Sequence, residues 1–235
     1  LAGETSGILP NPAWKLKTRK ERWFPGDTVN MSIGQGDWKV TPLQLVRGTG
    51  ALADAGQLRR PHVVEGRRER FDAPWTPVPQ PAPSVISERA DHLQVVREGM
   101  VSTVHGPGGT ARHIGVGIPY RIAGKTGTAQ VVSRRGSAAV NPRSLPMHLR
   151  HRGLFIAYAP ADAPTIAIAV AIEGGGYGAS SAAPVARKVF DAWLLGKPVA
   201  PKQQDEATPV DAAVQAALPP DFSDVQGSPG MATPT

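Results

Sequence analysis

The chain has 235 residues, of which 40% are hydrophobic, so it can bury one substantial core and is not disordered throughout. It has no cysteine, which excludes disulfide scaffolds, iron–sulfur and zinc-ribbon sites, and thiol catalysis. The net charge is +7, but the basic residues are scattered and aromatic residues make up only 6%, so we expect no nucleic-acid partner.

Two helices are predicted in the first half of the chain. Thr41 begins a capping box with Pro42 at the first helical position and Gln44 three residues after the cap, and Gly56 is the expected end of this helix. A proline-rich stretch over residues 73–83 predicts an extended surface connection. Apolar residues spaced by three or four then predict a helix from Ser87 to Val104: Leu93, Val96, Met100 and Val104.

Three strands and a closing helix are predicted in the second half. The strands cover residues 120–132, 153–159 and 165–172, and the five-residue join before the last strand is too short for a parallel crossover. Residues 179–195 read as a helix whose buried stripe is predicted to be Val185, Val189 and Trp193. The fold class is therefore α+β, an antiparallel sheet flanked by helices.

The two ends of the chain differ from the rest. It starts at Leu1 without a signal-peptide pattern, so we expect a piece of a longer protein, and no apolar run is long enough for a transmembrane helix. From Lys197 to Thr235 there are seven prolines and a single aromatic residue, Phe222. We predict that residues 1–196 fold and that residues 197–235 form a disordered tail rich in proline and alanine.

The segment from Ala123 to Gln130 is the most informative for chemistry. A phosphate loop would need glycine at position 119, where Pro119 stands, and a following helix for which there is no periodicity. As a strand, it would place Lys125 and Gly127 on one face, and Thr126 and Thr128 on the other. One lysine and two hydroxyls suit a carboxylate, while edge amides can pair with an extended peptide.

A set of motifs in a fixed order extends this reading. The chain resembles the class B penicillin-binding proteins, and among them the elongation-type transpeptidases, over roughly residues 1–196. The segments that carry the resemblance are residues 3–7 (GETSG), 23–28 (WFPGDT), 32–36 (SIGQG), 41–44 (TPLQ), 125–130 (KTGTAQ) and 155–160 (FIAYAP).

The resemblance implies the C-terminal portion of a penicillin-binding-protein/β-lactamase-like transpeptidase domain, a serine D,D-transpeptidase that cross-links stem peptides ending in D-Ala-D-Ala without metal or organic cofactor. Lys125 would supply positive charge near the substrate carboxylate and the proton-relay serine. Thr126 and Thr128 would hydrogen-bond that carboxylate, the Thr128 amide would serve the oxyanion hole, and Gly127 would keep the cleft open.

The implied setting is the periplasmic face of the inner membrane, with the anchor outside this chain. The implied partners are peptidoglycan stem peptides, β-lactams as covalent inhibitors of the complete enzyme, and a membrane glycan polymerase of the rod-shape complex that binds through upstream regions. Penicillin acylation of this chain alone is not expected, because it has neither a Ser-x-x-Lys nor a Ser-x-Asn sequence.

Two other readings stay open on the sequence alone, a β-lactam-sensing or β-lactam-hydrolysing relative and a non-catalytic scaffold that binds muropeptides or partner proteins. The histidines favour neither a metal site nor a catalytic triad. His148 and His151 have no third ligand nearby in the sequence, and His105 and His113 have no visible acid partner.

Overall fold

The computed structural model describes residues 3–129, 146–147 and 150–197. Within them the helices are α1 (Pro12–Arg19), α2 (Pro25–Ser32), α3 (Pro42–Ala53), α4 (Ala90–His105) and α5 (Gly178–Leu195), with a short 3-10 helix at Arg112–Gly115. The strands are β1 (Gln57–Leu58), β2 (Gly66–Arg67), β3 (Thr76–Pro77), β4 (Ser84–Val85), β5 (Ala123–Ala129), β6 (Arg152–Ala159) and β7 (Ile166–Ile172).

The main sheet has three antiparallel strands in the order β5-β6-β7, which confirms the predicted α+β arrangement. β5 pairs with β6 along its whole length, from Ala123 opposite Tyr158 to Ala129 opposite Arg152. The end of the first predicted strand, residues 130–132, lies outside the described residues. Two small antiparallel ribbons, β1 with β4 and β2 with β3, occupy the chain between α3 and α4.

The predicted capping box of α3 is confirmed. The Thr41 hydroxyl accepts a hydrogen bond from the Gln44 backbone amide at 3.1 Å, and the Gln44 side chain accepts one from the Thr41 amide at 3.0 Å. The helix ends at Ala53, and Gly56 follows with φ of +90°, a left-handed conformation that glycine adopts without strain. The Gln44 amide also donates to the Thr5 carbonyl at 3.0 Å, tying the start of the chain to α3.

The second predicted helix is confirmed with a later start. α4 begins at Ala90 rather than at Ser87, because the Ser87 hydroxyl accepts the Arg89 amide at 3.1 Å in a turn before the helix. Its buried residues are Leu93, Met100 and Val104, whereas Val96 is 45% exposed.

Helices α1 and α2 were not predicted, and neither has a buried residue. Asn11 caps α1 by accepting the Trp14 amide at 2.9 Å, and Pro12 occupies the first turn. In α2 the Asp27 carboxylate accepts the Phe24 amide at 2.7 Å. Their signal is therefore in the caps and not in an apolar stripe.

The core lies on both faces of the sheet. On one face, buried strand residues Phe155, Ala157 and Ala159 contact α5, and on the other, Ala123 and Tyr158 contact α4. Phe155 and Tyr158 are both fully buried, and their separation by an odd number of residues sends them to opposite faces of β6.

The predicted buried stripe of α5 is wrong. Val185 and Trp193 are 41% and 65% exposed, and Val189 is only partly buried. The buried face consists instead of Ala182, Ala183, Ala186 and Phe190. Small side chains let the helix approach the sheet closely, so packing distance decided the orientation rather than the size of the apolar residues.

Glycine makes the closest contact of α5 with the sheet possible. A Cβ on Gly178 would lie 1.9 Å from the Leu154 carbonyl oxygen and 2.6 Å from that of Gly127. A Cβ on Gly153 would lie 2.1 Å from the Ser181 hydroxyl of the same helix. The first turn of α5 therefore rests directly on the backbone of β5 and β6.

The structure tests the prediction about membrane-spanning helices but not the prediction about the C-terminal tail. Among the helices of the described residues, none is long and apolar enough to cross a membrane. The predicted tail lies outside the described residues from Pro198 onward, and it stays a prediction.

Gly178→Ala should destabilise the protein by about 1–3 kcal/mol, because the added methyl group forces α5 away from the sheet. Gly99→Ala is the matched control, since that exposed α4 glycine has nothing within 4 Å of its Cβ position, and the change should be neutral or stabilising by up to about 1 kcal/mol. Thermal unfolding of both variants measures the difference. Equal melting temperatures would show that α5 does not need this close contact.

Candidate active site on strand β5

β5 is an edge strand of the three-stranded sheet, and no other strand of the described residues pairs with its outer edge. The backbone just before it is closed off. On the outer edge, the Ile122 amide donates to His105 Nε2 at 2.9 Å. On the inner edge, the Arg121 carbonyl accepts the Ala161 amide at 2.8 Å and so extends the pairing with the β6 side. The accessible part of the strand is therefore its later part, which contains Lys125 to Thr128.

His105 can accept the hydrogen bond from the Ile122 amide only when its ring is neutral. Its Nε2 must accept the Ile122 proton, so the ring proton is assigned to Nδ1. Burial lowers the pKa of His105 below its ordinary value, and the nearby Arg121 charge lowers it further, while Asp162 acts in the opposite direction. The site thus favours the protonation state that the hydrogen bond requires.

The residues Lys125 to Thr128 lie on the strand, as predicted, and alternate between its faces. The Lys125 side chain is exposed, and its ammonium group donates to the Thr126 carbonyl at 2.8 Å. Thr126 and Thr128 are partly buried on the other face. A positive charge and two hydroxyls thus lie within four residues of an accessible strand, an arrangement suited to an anionic peptide terminus.

Gly127 adds no side chain to the face of the strand that carries Lys125. A Cβ there would lie 3.2 Å from the Leu154 Cβ, which is tight but not a severe overlap. Gly124, three residues earlier and therefore on the opposite face, is more constrained, because a Cβ there would lie 2.5 Å from the Phe155 ring. Gly124 therefore allows the strand to pack closely against the core, and Gly127 leaves the lysine face uncrowded.

The sequence did not assign a role to Thr110, whose hydroxyl lies 2.9 Å from that of Thr126. It sits in the loop that follows α4, next to Gly108 and Gly109. The Gly-Gly-Thr sequence predicts a turn, and the family resemblance implies that this turn could border the cleft, but neither indicates which strand residue it contacts.

A second set of polar contacts fixes α5 to the segment that leads into β5. The Tyr120 hydroxyl donates to Asp191 at 2.6 Å, and Arg187 donates to Asp191 at 2.8 Å and to the Ile114 carbonyl at 2.7 Å. Burial and the hydrogen bond to Asp191 raise the pKa of Tyr120. Burial alone would raise the pKa of Asp191, but the bonds from Tyr120 and Arg187 outweigh it, so this pKa is lowered.

Two cavities occur elsewhere. One of about 620 Å³ lies between α3, residues 57–62 and the start of β7, and one of about 360 Å³ lies between α4 and residues 158–162. Neither is lined by Lys125, Thr126, Gly127 or Thr128. The candidate site thus lies outside both of these cavities, on the edge of the strand.

The part of the chain that the structure describes contains no cluster of three or more histidine, aspartate or glutamate side chains that could hold a metal ion. His151 is described, and its carbonyl accepts the Gly176 amide at 3.0 Å, but His148 lies outside the described residues.

An antiparallel sheet that has Lys-Thr-Gly-Thr on its edge strand and helices on both faces is typical of penicillin-binding proteins and class A β-lactamases. The chain belongs to the Transpeptidase family, described as the penicillin binding protein transpeptidase domain, which matches residues 1–191. The family resemblance inferred from the ordered motifs is confirmed.

Relatives within this family narrow the similarity to penicillin-binding protein 2. The chain is 42% identical to the peptidoglycan D,D-transpeptidase MrdA of Acinetobacter baumannii over 196 residues, 83% of this chain and 28% of that protein. The crystal structure of Pseudomonas aeruginosa PBP2 in complex with WCK 5153 is 40% identical, with a TM-score of 0.64, and the match covers 83% of this chain and 40% of that one.

The structure of Helicobacter pylori PBP2 in its complex with MreC is 28% identical with a TM-score of 0.65, over 83% of this chain and 32% of that one. The chain thus spans about 28–31% of the length of the curated MrdA relatives it matches.

His105→Gln should remove part of the pH dependence of stability while keeping an acceptor for the Ile122 amide. A lowered pKa means that the histidine stabilises the folded state fully above the unfolded-chain pKa of about 6.5, and that this stabilisation is lost as the pH falls through the folded-state pKa. The melting temperature of the wild type relative to His105→Gln should therefore decrease as the pH is lowered from about 7.5 to about 5.

His92→Gln, which removes an exposed histidine of the same helix, is the control for losing one titratable ring. A wild-type advantage over His105→Gln that grows at lower pH would contradict the assigned neutral acceptor.

Proposed function

We propose that the protein containing this chain is a peptidoglycan D,D-transpeptidase of the elongation type, and that this chain supplies the strand that binds the carboxylate end of the donor stem peptide. The observation that carries the proposal is the placement of Lys125, Thr126 and Thr128 on the accessible end strand of a transpeptidase-family fold. The relatives named as D,D-transpeptidases support it and do not favour a scaffold or a β-lactamase.

In the proposed reaction, a serine hydroxyl attacks the carbonyl carbon of the penultimate D-alanine. The bond to the terminal D-alanine then breaks, and its nitrogen leaves with the proton that the serine lost. An amine of a neighbouring stem attacks the resulting ester and restores the serine, so that one peptide bond replaces another. Because this chain has neither Ser-x-x-Lys nor Ser-x-Asn, we propose that both motifs lie upstream of it.

In this proposal, the residues of β5 bind the substrate carboxylate and stabilise the negative charge that develops during the reaction. The exposed Lys125 ammonium attracts the terminal carboxylate and stabilises negative charge near the attacking serine. The hydroxyls of Thr126 and Thr128 donate to the carboxylate, which holds the scissile bond in position. The Thr128 backbone amide donates to the oxyanion that develops in the transition state, and Gly127 leaves space for the extended peptide beside the strand.

The cellular setting follows from the same proposal. A transpeptidase that acts on stem peptides works at the periplasmic face of the inner membrane, beside a glycan polymerase of the rod-shape machinery. The Helicobacter pylori relative solved in a complex with MreC supports a protein partner from this machinery. We propose that such partners bind through regions upstream of this chain. β-Lactams are proposed to acylate the complete enzyme as substrate mimics.

Labelling with a fluorescent penicillin tests the function directly. The full-length protein should be acylated at a stoichiometry of about one, and this chain alone should not be labelled, because it lacks the activated serine. Lys125→Gln should slow acylation of the full-length protein by about 100-fold or more, the scale of losing one group that stabilises developing charge.

Lys188→Gln is the matched control for that substitution, since Lys188 is exposed on α5. The proposal fails if the full-length protein is not labelled, or if the Lys125 and Lys188 variants react at the same rate as the wild type.

A further inference from the structure

The loop between α4 and the 3-10 helix brings one additional hydroxyl to the candidate site. Thr110 Oγ1 lies 2.9 Å from Thr126 Oγ1, and either oxygen can be the donor in this pair. None of the hydrogen bonds described for these two side chains involves another group, so the pair is satisfied internally while it faces the accessible end of β5.

Close contacts with the end of α4 hold the backbone of this loop on both sides of Thr110. A Cβ on Gly109 would lie 2.4 Å from the Thr103 carbonyl oxygen and 2.6 Å from that of Ser102, so only glycine fits against the end of α4. On the other side of Thr110, the amide of the fully buried Ala111 donates to the Thr103 carbonyl at 3.0 Å. Thr110 is therefore fixed between two anchored neighbours.

A count of protons shows what this contact does when a carboxylate binds. Each hydroxyl has one proton and can accept through its lone pairs. A carboxylate only accepts, so Thr126 must give its proton to the carboxylate. The Thr110 proton is then the one left to fill the contact between the two hydroxyls, and donation from Thr110 makes Thr126 a stronger donor through cooperative polarisation.

We propose that Thr110 is a positioning residue that orients the Thr126 hydroxyl toward the carboxylate of the substrate. This inference rests on the proposed function, because it takes Thr126 as a carboxylate donor. Thr110 acts through Thr126, and its contribution is to discriminate in favour of an anionic terminus and not to speed the chemical step.

The test compares benzylpenicillin, which carries the carboxylate, with its methyl ester, which lacks the charge. The measured quantity is the ratio of the second-order acylation constants of the acid and the ester for the full-length protein. Thr110→Val should lower this ratio by about 3- to 10-fold, the effect of losing one neutral hydrogen bond. Thr110→Ser keeps the donor and should retain the wild-type ratio.

Thr126→Val and the double variant Thr110→Val/Thr126→Val complete a double-mutant cycle. Thr126→Val should lower the ratio further than Thr110→Val, and adding Thr110→Val to it should change nothing more, because Thr110 then has no hydroxyl to orient. Stopped-flow separation of binding from acylation should place the Thr110 effect in the binding constant for the acid.

The outcomes separate this inference from the function on which it rests. If Thr126→Val keeps the wild-type ratio, the assignment of the carboxylate to Thr126 is wrong and both proposals fall at that point. If Thr126→Val lowers the ratio but Thr110→Val does not, or if their effects multiply in the double variant, only the role of Thr110 is overturned. Equal slowing of acid and ester by Thr110→Val would show a merely structural role and would also overturn it.

Discussion

The absence of a side chain at residue 178 determines how α5 lies on the sheet. The first turn of this helix rests on the carbonyl groups of Gly127 and Leu154, at distances that leave no room for even a methyl group. Ala182, Ala183 and Ala186 continue the same close contact along the helix. Because β5 and β6 are both touched at this point, the helix fixes the later part of β5 from one face, and α4 contacts the strand as well.

The same arrangement leaves the candidate site open at one edge only. β6 takes one edge of β5, and the start of its outer edge is closed by His105 at Ile122. What stays accessible is the segment with the lysine and the two threonines. A rigid strand with a free edge and a local positive charge can hold an extended anionic peptide at little entropic cost, because the protein groups are already in place.

The sequence predicted the elements that have a strong local signal. The Thr41 capping box, the two apolar strands of the hairpin and the Lys-Thr-Gly-Thr strand depend on neighbouring residues. All are found, although β5 begins at Ala123, three residues later than predicted. The order of the short motifs was sufficient to identify the family, and the match over residues 1–191 confirms it. The chemical roles of Lys125, Thr126 and Thr128 remain proposals.

The features that the sequence did not predict depend on contacts between distant segments. The wrong stripe of α5 arose because Val185 and Trp193 are larger and more apolar than the alanines, whereas the real selection was for closeness to the sheet. Helices α1 and α2 have no buried face for periodicity to detect. The contact of Thr110 with Thr126 joins residues 16 apart in the chain, and no local pattern encodes it.

The most direct test of the central claim is a crystal structure of the full-length protein acylated by benzylpenicillin. The account predicts that the carboxylate of the adduct lies within about 3.2 Å of the Thr126 or Thr128 hydroxyl oxygen, and that its ester carbonyl oxygen lies within about 3.1 Å of the Thr128 amide nitrogen. An adduct whose carboxylate and carbonyl oxygen contact none of the residues from Lys125 to Thr128 would contradict it.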